Sequence, residues 1–406
     1  MTRLIVAAGG GGDAIAAAMV DAALYGGASP AVVLTYAWDR LLIDPIPGPR
    51  RPADFTGLRP LTASVQAMSA EARPAAPSGS TLPRLAAELP HTFALIDPHH
   101  GAEGITRQLE ELVEHLSPES IDLLDVGGDI LARGDEPTLC SPLADALVLA
   151  ACCQIDAPVR LLVAGPGLDG ELPADELRDH MGATVLTLTA EHVEPVGSVL
   201  DWHPSEATAM LAATARGARG VCEVRGAGLP VPLTDEGPTV HEADLGGILD
   251  RNALARAVLA TKSLDEAEGH SREICGFSEI DYEREKAAWF VGRPERELAP
   301  EATLRRLARF EADARGRGIT HTTFRRITEA LELNGNQRQD LRALLIRSRP
   351  EQYRAPLWYI PPTPLSADDT PPPTVRHGHP RTGPAPDPLL GGAPGRSFLS
   401  PSLPPP

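Results

Sequence analysis

The sequence predicts an α/β protein with a doubly wound, mainly parallel sheet, followed by a helical subdomain and a disordered tail. Three observations carry this expectation. Short apolar runs alternate with helical segments through residues 1–262. The runs are continuously apolar rather than alternating, as strands covered on both faces require. The first run, Leu4–Ala8, also leads through Gly9-Gly10-Gly11-Gly12-Asp13 straight into an apolar helix, the strand–turn–helix unit from which parallel sheets are assembled.

The strands expected, in order, are Leu4–Ala8, Val32–Ala37, Phe93–Asp97, Ile121–Val126, Val159–Gly165 and Thr184–Leu188. Between and after them, helices are expected from Ala14 to about Leu24 and over Glu103–Leu116, Ser141–Cys153, Asp175–Met181 and Ser205–Arg216. Residues 50–90, rich in Pro, Ala and Ser, read as an irregular insertion, a lid or a surface loop. From about Leu264 the character changes. The stretches Glu266–Val291 and Pro300–Ser348 are charged, Arg/Glu/Leu-rich and helical in pattern, without strand signals. They suggest a subdomain over 263–355, packed on the sheet domain. The Pro-rich end, 356–406, lacks the apolar residues to offset its ordering entropy, so a disordered or polyproline-like tail is expected there. That tail is also the segment offered for contact with a protein partner.

Composition narrows the function classes. A hydrophobic content of 42% supports a core, although only 4% of residues are aromatic, so Ala, Val and Leu must fill much of it. A net charge of −18 argues against broad nucleic-acid or anionic-membrane binding, because phosphate contact needs a basic surface. No stretch approaches the roughly 20 apolar residues of a membrane span. Met1-Thr2-Arg3 runs directly into a strand rather than a signal peptide. The five cysteines, Cys140, Cys152, Cys153, Cys222 and Cys275, are odd in number and lack C-x-x-C spacing, against a disulfide scaffold or zinc site. Cys152 and Cys153 read as small buried hydrophobes. A cytoplasmic location is expected, and a homo-oligomer is compatible with the sequence.

The glycine turn is the first candidate for chemistry. Gly9-x-Gly11-x-x-Ala14 fits the dinucleotide-binding spacing and makes the unit Rossmann-like. Gly9, Gly10, Gly11 and Gly12 would let an anion reach a helix start whose N–H groups are unpaired. Glycine-rich turns also occur simply where a helix packs tightly on a strand, but ligand binding is the favoured reading. Trp38-Asp39-Arg40 follows the second strand. There Asp39 would take a ribose hydroxyl or an amine, and Arg40, with Arg50 further on, would clamp another charge. Asp13 weakens a simple phosphate site unless it caps the helix or holds a cation. Walker-type P-loop spacing is absent.

A second constellation, Asp125-Val126-Gly127-Gly128-Asp129 with Ser141 and Asp145 downstream, ends the fourth strand. Two acids around a Gly-Gly turn call for a cation, a donor or solvent, and Mg²⁺ on Asp125 and Asp129 would suit the oxygen-rich set. Ser141-Pro142 reads as a helix N-cap. Asp97-Pro98-His99-His100 is a weaker metal or acid/base candidate. Trp202-His203-Pro204-Ser205-Glu206 follows the sixth strand, with Ser205 capping a helix and His203 the preferred acid/base. Gly165 to Glu171 adds a further glycine turn with acids. Arg325, Arg326 and Arg338, interleaved with Glu329 and Glu332, resemble a DNA-reading helix but fit a solvated helical face better.

Taken together, Gly9 to Asp13, Trp38-Asp39-Arg40 with Asp44-Pro45 and Gly48-Pro49-Arg50, Asp125 to Asp129 with Ser141 to Asp145, and Trp202 to Glu206 resemble a family catalogued as domain of unknown function 1152. The resemblance spans roughly Met1 to Thr261. It implies no reaction, only that these motifs belong together. The expectation is an enzyme binding a nucleotide or a phosphorylated or carboxylated metabolite at the carboxyl edge of the sheet. Transfer or hydrolysis is the favoured chemistry, with Asp125, Asp129, His203 and Glu206 in catalysis and the remaining motif residues, Trp38 and Trp202 included, around the ligand. NAD(P) redox chemistry and a non-catalytic sensor or scaffold are the alternatives.

Overall fold

A computed structural model describes residues 2–26, 29–225, 228–291 and 296–362, all of which fall in a unit spanning Met1–Pro362. Its first thirteen strands are β1 (Leu4–Gly10), β2 (Val32–Tyr36), β3 (Phe55–Thr56), β4 (Arg59–Pro60), β5 (Gln66–Ala67), β6 (Arg73–Pro74) and β7 (Thr92–Ile96), then β8 (Ile121–Val126), β9 (Val159–Ala164), β10 (Thr184–Thr187), β11 (Gly220–Val224), β12 (Leu229–Leu233) and β13 (Thr239–Ala243). Nine of them form one mixed sheet in the order β10-β13-β9-β8-β1-β2-β7-β5-β4. The five central strands are parallel: β1 pairs with β2 and β8, β2 with β7, and β8 with β9. The outer pairings of β13, β10, β5 and β4 are antiparallel.

The continuous apolar runs explain the layers. Every residue of β2 and β8 is buried. Along β1, Leu4, Val6 and Ala8 share one core with Ile105, Leu109, Leu143 and Leu147 of helices α3 (Gly101–Leu116) and α4 (Pro142–Cys152). Ile5 and Ala7 face the other way, into a core with Ala14, Ile15 and Met19 of α1 (Gly12–Tyr25) and Met210 and Leu211 of the helix Glu206–Ala215. The two-residue alternation of a strand thus supplies both faces of the sheet with core. Because β2 and β7 extend to one side of β1 while β8 and β9 extend to the other, the strand order reverses between β1 and β8. In open α/β sheets such a reversal leaves a crevice beyond the strand ends.

Several expectations need correction. Thr184–Leu188 is not a buried parallel strand: β10 pairs antiparallel with β13 and is partly exposed along its length. Strands β11, β12 and β13 were not anticipated. Pro230 and Pro232 occupy exposed positions of β12, which pairs only on the side of β11, and an edge strand tolerates proline there. His241 and Glu242 break the apolar pattern of β13. The 50–90 insertion is not irregular throughout: β4 and β5 extend the main sheet, and helix α2 (Leu82–Glu88) packs through Leu82 and Leu85.

The C-terminal region is helical as expected, over Leu264–Ile274, Glu279–Val291, Pro300–Gly316, Phe324–Ala330 and Arg338–Ser348. It also contributes β14 (His321–Thr322), β15 (Tyr353–Arg354) and β16 (Leu357–Tyr359). These join β11 and β12 in a five-stranded sheet ordered β12-β11-β14-β16-β15. Residues 356–362 therefore belong to the folded unit and not to the tail. Trp358 is 0% exposed and packs with Leu307, Ile327, Leu341 and Leu345. The tail expectation for 363–406 lies outside the described residues. Arg325, Arg326 and Arg338 are not a solvated face. Arg338 is buried, Arg326 pairs with the fully buried Glu223 at 2.6 Å, and Arg325 is held between Glu206 and Glu329. All five cysteines are free, with Cys152 buried and Cys153 half-buried. Among the described residues no helix is long and apolar enough to cross a membrane.

Truncating Trp358 to Ala is expected to cost about 3–5 kcal/mol in denaturant unfolding, the range for a large buried aromatic. A cost below about 1 kcal/mol would place it outside the core. Gly269, in the helix Leu264–Ile274, has open space where a Cβ would sit. Gly269→Ala is expected to stabilise by about 0.5–1 kcal/mol in the same measurement.

Candidate functional site

The segments leaving the carboxyl ends of β1, β2, β8 and β9 line a common cleft. After β1 the glycine turn enters α1. Gly11, at the helix N-cap, has φ +36°, a backbone state that only glycine adopts easily. Gly12 is glycine for a different reason: a Cβ there would collide with Ser205 Oγ. Close packing therefore accounts for part of the turn and backbone conformation for another part. Asp13 folds back over it, Oδ2 accepting the Gly9 N–H at 2.9 Å.

Carboxylates gather opposite. Asp125 ends β8, Asp129 follows it, Asp145 sits in the first turn of α4, and Asp169 and Glu171 follow β9. Asp125, Asp129, Asp145 and Glu171 are buried, whereas Asp13 and Asp169 are half-buried. One oxygen each of Asp13, Asp125 and Asp145 lie within 4.8 Å of one another, so these three residues could hold a metal ion. Desolvation raises Asp13 and Asp169 to about 7. Desolvation, then the neighbouring acids, push Asp125, Asp129 and Asp145 well above the usual carboxylate range. Asp125 Oδ2, Asp145 Oδ1 and Asp169 Oδ2 are buried atoms with no hydrogen-bond partner among the described residues.

The start of α4 gives part of the explanation for this gathering. Ser141 is the N-cap residue but does not cap with its own side chain. Its Oγ donates to Glu171 Oε1 at 2.5 Å, and the N–H groups of Cys140 and Ser141 donate to Glu171 Oε2 at 2.6 and 2.9 Å. The Leu143 N–H donates to Glu279 Oε2 at 3.1 Å. Acids distant in sequence thus satisfy the unpaired N–H groups of this helix start. Burial pushes Glu279 up to about 8.

Three arginines line the same cleft. Arg225, a non-glycine residue at φ +60°, donates to Glu171 at 3.0 Å and to the Asp169 carbonyl at 2.7 Å. Arg325 pairs with Glu206 at 3.2 Å and Glu329 at 3.1 Å. Glu206 also accepts from Thr323 Oγ1 and the Arg225 N–H, so it is a positioning group rather than a reacting one. Arg40 is exposed and makes no ion pair among the described residues.

His203 is not placed to move a proton at neutral pH. Its Nδ1 accepts the Ser205 N–H at 3.2 Å, which leaves the ring proton on Nε2, 3.2 Å from Thr81 Oγ1. Thr81 Oγ1 in turn donates to Asp39 Oδ1 at 2.7 Å, and its N–H to Asp39 Oδ2 at 3.0 Å. Burial pushes His203 down to about 3, so the ring is a neutral hydrogen-bonding strut.

The cleft therefore unites Gly9 to Asp13, Trp38, Asp39, Arg40, Asp125, Asp129, Ser141, Asp145, His203 and Glu206. Other expected residues fall outside it. Arg50 ties its own loop, donating to the carbonyls of Ile46, Pro47 and Gly48 and pairing with Asp44 at 3.0 Å. Trp202 donates from its indole to Glu88 at 2.9 Å, with the Arg84 guanidinium 4.1 Å from its ring centroid. Gly127 and Gly128 shape the turn at φ +119° and +107° without lining the cleft. His99 pairs with Asp97 at 3.3 Å, away from the cleft. Ser205 does cap its helix, accepting the Thr208 N–H. Asp169 and Glu171 carry a signal in their glycine turn, Arg325 reads from sequence only as part of a solvated helical face, and Arg225, Glu279 and Glu283 carry none. Glu283 is brought in by the Trp38 indole N–H at 3.1 Å and the Gly48 N–H at 2.8 Å.

The family model described as a protein of unknown function (DUF1152) matches residues 4–287, which takes in Glu279 and Glu283 beyond the sheet domain. Neither a curated protein nor a solved structure matches the chain.

The raised acids make a pH prediction. A carboxyl whose pKa rises on folding keeps a proton that the unfolded chain has released, so stability is lost as pH climbs towards the folded value. With Asp13 and Asp169 at about 7 and Glu279 at about 8, the metal-free protein is expected to melt at falling temperature as pH is raised from about 4 to about 8. Glu279→Gln, which cannot ionise, is expected to flatten the profile. A melting temperature that climbs with pH over the same window would contradict the assignment.

Proposed function

The chain belongs to the DUF1152 family, and on that premise we propose that it is an enzyme acting on a small anionic metabolite. The ligand would be a nucleotide or another phosphate- or carboxylate-bearing compound, bound across the carboxyl edge of the sheet, and the chemistry transfer or hydrolysis. The observation that carries this reading is the meeting of a helix start, an exposed arginine and a set of buried carboxylates in one cleft. Such a site suits a polar ligand with several charges.

The central strand order, β7-β2-β1-β8-β9, supports a Rossmann-like reading of the sheet. The antiparallel β13 stands where a sixth parallel strand would continue that fold. Hydride transfer with NAD(P) is the weaker reading, because Asp39 is 7% exposed and has both oxygens engaged by Thr81. The acid that would greet a ribose is occupied.

Within the proposed enzyme, Arg40 receives the outer charge of the ligand at the mouth. Asp169 is the better acid/base than His203: it is half-buried, has an unpartnered oxygen and lies at about 7, near the value at which a group exchanges protons most effectively. Asp129 lines the cleft with Asp125, and desolvation and the neighbouring acids raise its carboxyl well above the usual range.

A thermal-shift panel of nucleotides, sugar phosphates and polycarboxylates, each with and without Mg²⁺, tests the reading. At least one is expected to raise the melting temperature. Arg40→Ala is then expected to weaken that ligand by about tenfold or more, the scale of a hydrogen bond to a charged group. Its own melting temperature should stay unchanged, because Arg40 is exposed. If no phosphate- or carboxylate-bearing compound stabilises the protein, the reading fails.

A further inference from the structure

We propose that Asp13, Asp125 and Asp145 hold one divalent cation, and that this ion, together with Arg40, receives the anionic group of the ligand. The second half rests on the functional reading above, and the first half stands without it. The three carboxylates come from separate elements: the first turn of α1, the end of β8 and the first turn of α4. They nevertheless bring one oxygen each within 4.8 Å of one another. Oxygens on opposite sides of Ca²⁺ stand about 4.8 Å apart and of Mg²⁺ about 4.2 Å, so the three residues are near enough for one ion to draw their oxygens together.

Unpartnered atoms point the same way independently. Asp125 is 1% exposed and Asp145 3%, yet Asp125 Oδ2 and Asp145 Oδ1 have no hydrogen-bond partner among the described residues. A buried acceptor without a donor costs about 1–3 kcal/mol, and adjacent carboxylates add repulsion. Of the three arginines in the cleft, Arg225 is taken by Glu171 and Arg325 by Glu206 and Glu329, and among the described residues Arg40 makes no hydrogen bond or ion pair with Asp125 or Asp145. A bound divalent ion satisfies both orphaned oxygens at once.

The donor set selects the ion. Three carboxylates with neither thiolate nor imidazole suit a hard cation such as Mg²⁺, Mn²⁺ or Ca²⁺. The starts of α1 and α4 each contribute the equivalent of about half a positive charge. With the ion they offset much of the charge of the three carboxylates, and open positions on the ion are free for a phosphate or carboxylate from the ligand. This also reassigns Asp129, named from sequence as a ligand, to a supporting place beside Asp125.

The test is Mn²⁺ titration of the full chain after chelator treatment, with free Mn²⁺ followed by electron paramagnetic resonance. One ion per chain is expected, and Asp145→Asn is expected to weaken it tenfold or more while still melting cooperatively in chelator. Should Asp145→Asn fail to fold, Asp13→Asn, at a half-buried position, makes the same comparison. A wild-type chain that binds no Mn²⁺ at millimolar concentration overturns the inference, as does unchanged binding in the folded variant. Mn²⁺ binding without stabilisation by any anionic compound supports the ion site and sinks the ligand reading. Stabilisation by such a compound in chelator, with no Mn²⁺ bound, does the reverse.

Discussion

Two helix starts converge on one point of the sheet, and the arrangement of the cleft follows from that convergence. Helix α1 leaves β1 towards one face while α4, after β8, covers the other, and β1 and β8 are neighbours. Each helix start presents N–H groups that nothing in its own helix can satisfy. Acids collect there because that is where negative charge is favoured. Asp13 accepts the Gly9 N–H beside α1, whereas Glu171 and Glu279 accept the N–H groups that open α4. The acid-rich site is thus a consequence of the topology, and its excess of charge is what a cation or a protonated state must answer.

Around this centre, charges fall into satisfied and unsatisfied sets. Glu171, Glu206, Glu283, Arg225 and Arg325 are engaged with protein partners and hold the walls in register. Asp39, Thr81 and His203 form a second strut, joining the segment after β2 to the insertion before α3 and to the segment before the helix Glu206–Ala215. Asp125, Asp145 and Asp169 each keep an unpartnered buried oxygen, and Arg40 is exposed at the mouth. Function is best sought in that second set. An enzyme needs groups whose interactions are completed by its substrate, and a fully satisfied residue has little left to offer one.

The glycine turn illustrates how far local sequence carries. Its position after β1 and before α1 was legible from the pattern alone, as were β2, β7, β8 and β9 within a residue or two, because buried parallel strands leave uninterrupted apolar runs. The reason for each glycine was not legible. Gly12 answers to Ser205, nearly two hundred positions away, and no local pattern encodes that approach. Edge strands such as β12 escaped for the opposite reason, since exposure frees them from the apolar pattern that marks a strand.

By itself the sequence determined the central parallel sheet, its flanking helices and the meeting of the Gly9, Trp38, Asp125 and His203 segments at one edge, because hydrophobic period and turn chemistry are local properties. Only the tertiary structure decided which of those residues face the cleft. Arg50 and Trp202 sit in conspicuous motifs yet are consumed by neighbouring loops and helices, and His203 is made a neutral strut by burial. Arg225, Glu279 and Glu283 enter from segments without any motif, and Arg325 from a helix that reads as solvated. A side chain's direction and its pKa are set by what packs against it, and those neighbours come from anywhere in the chain.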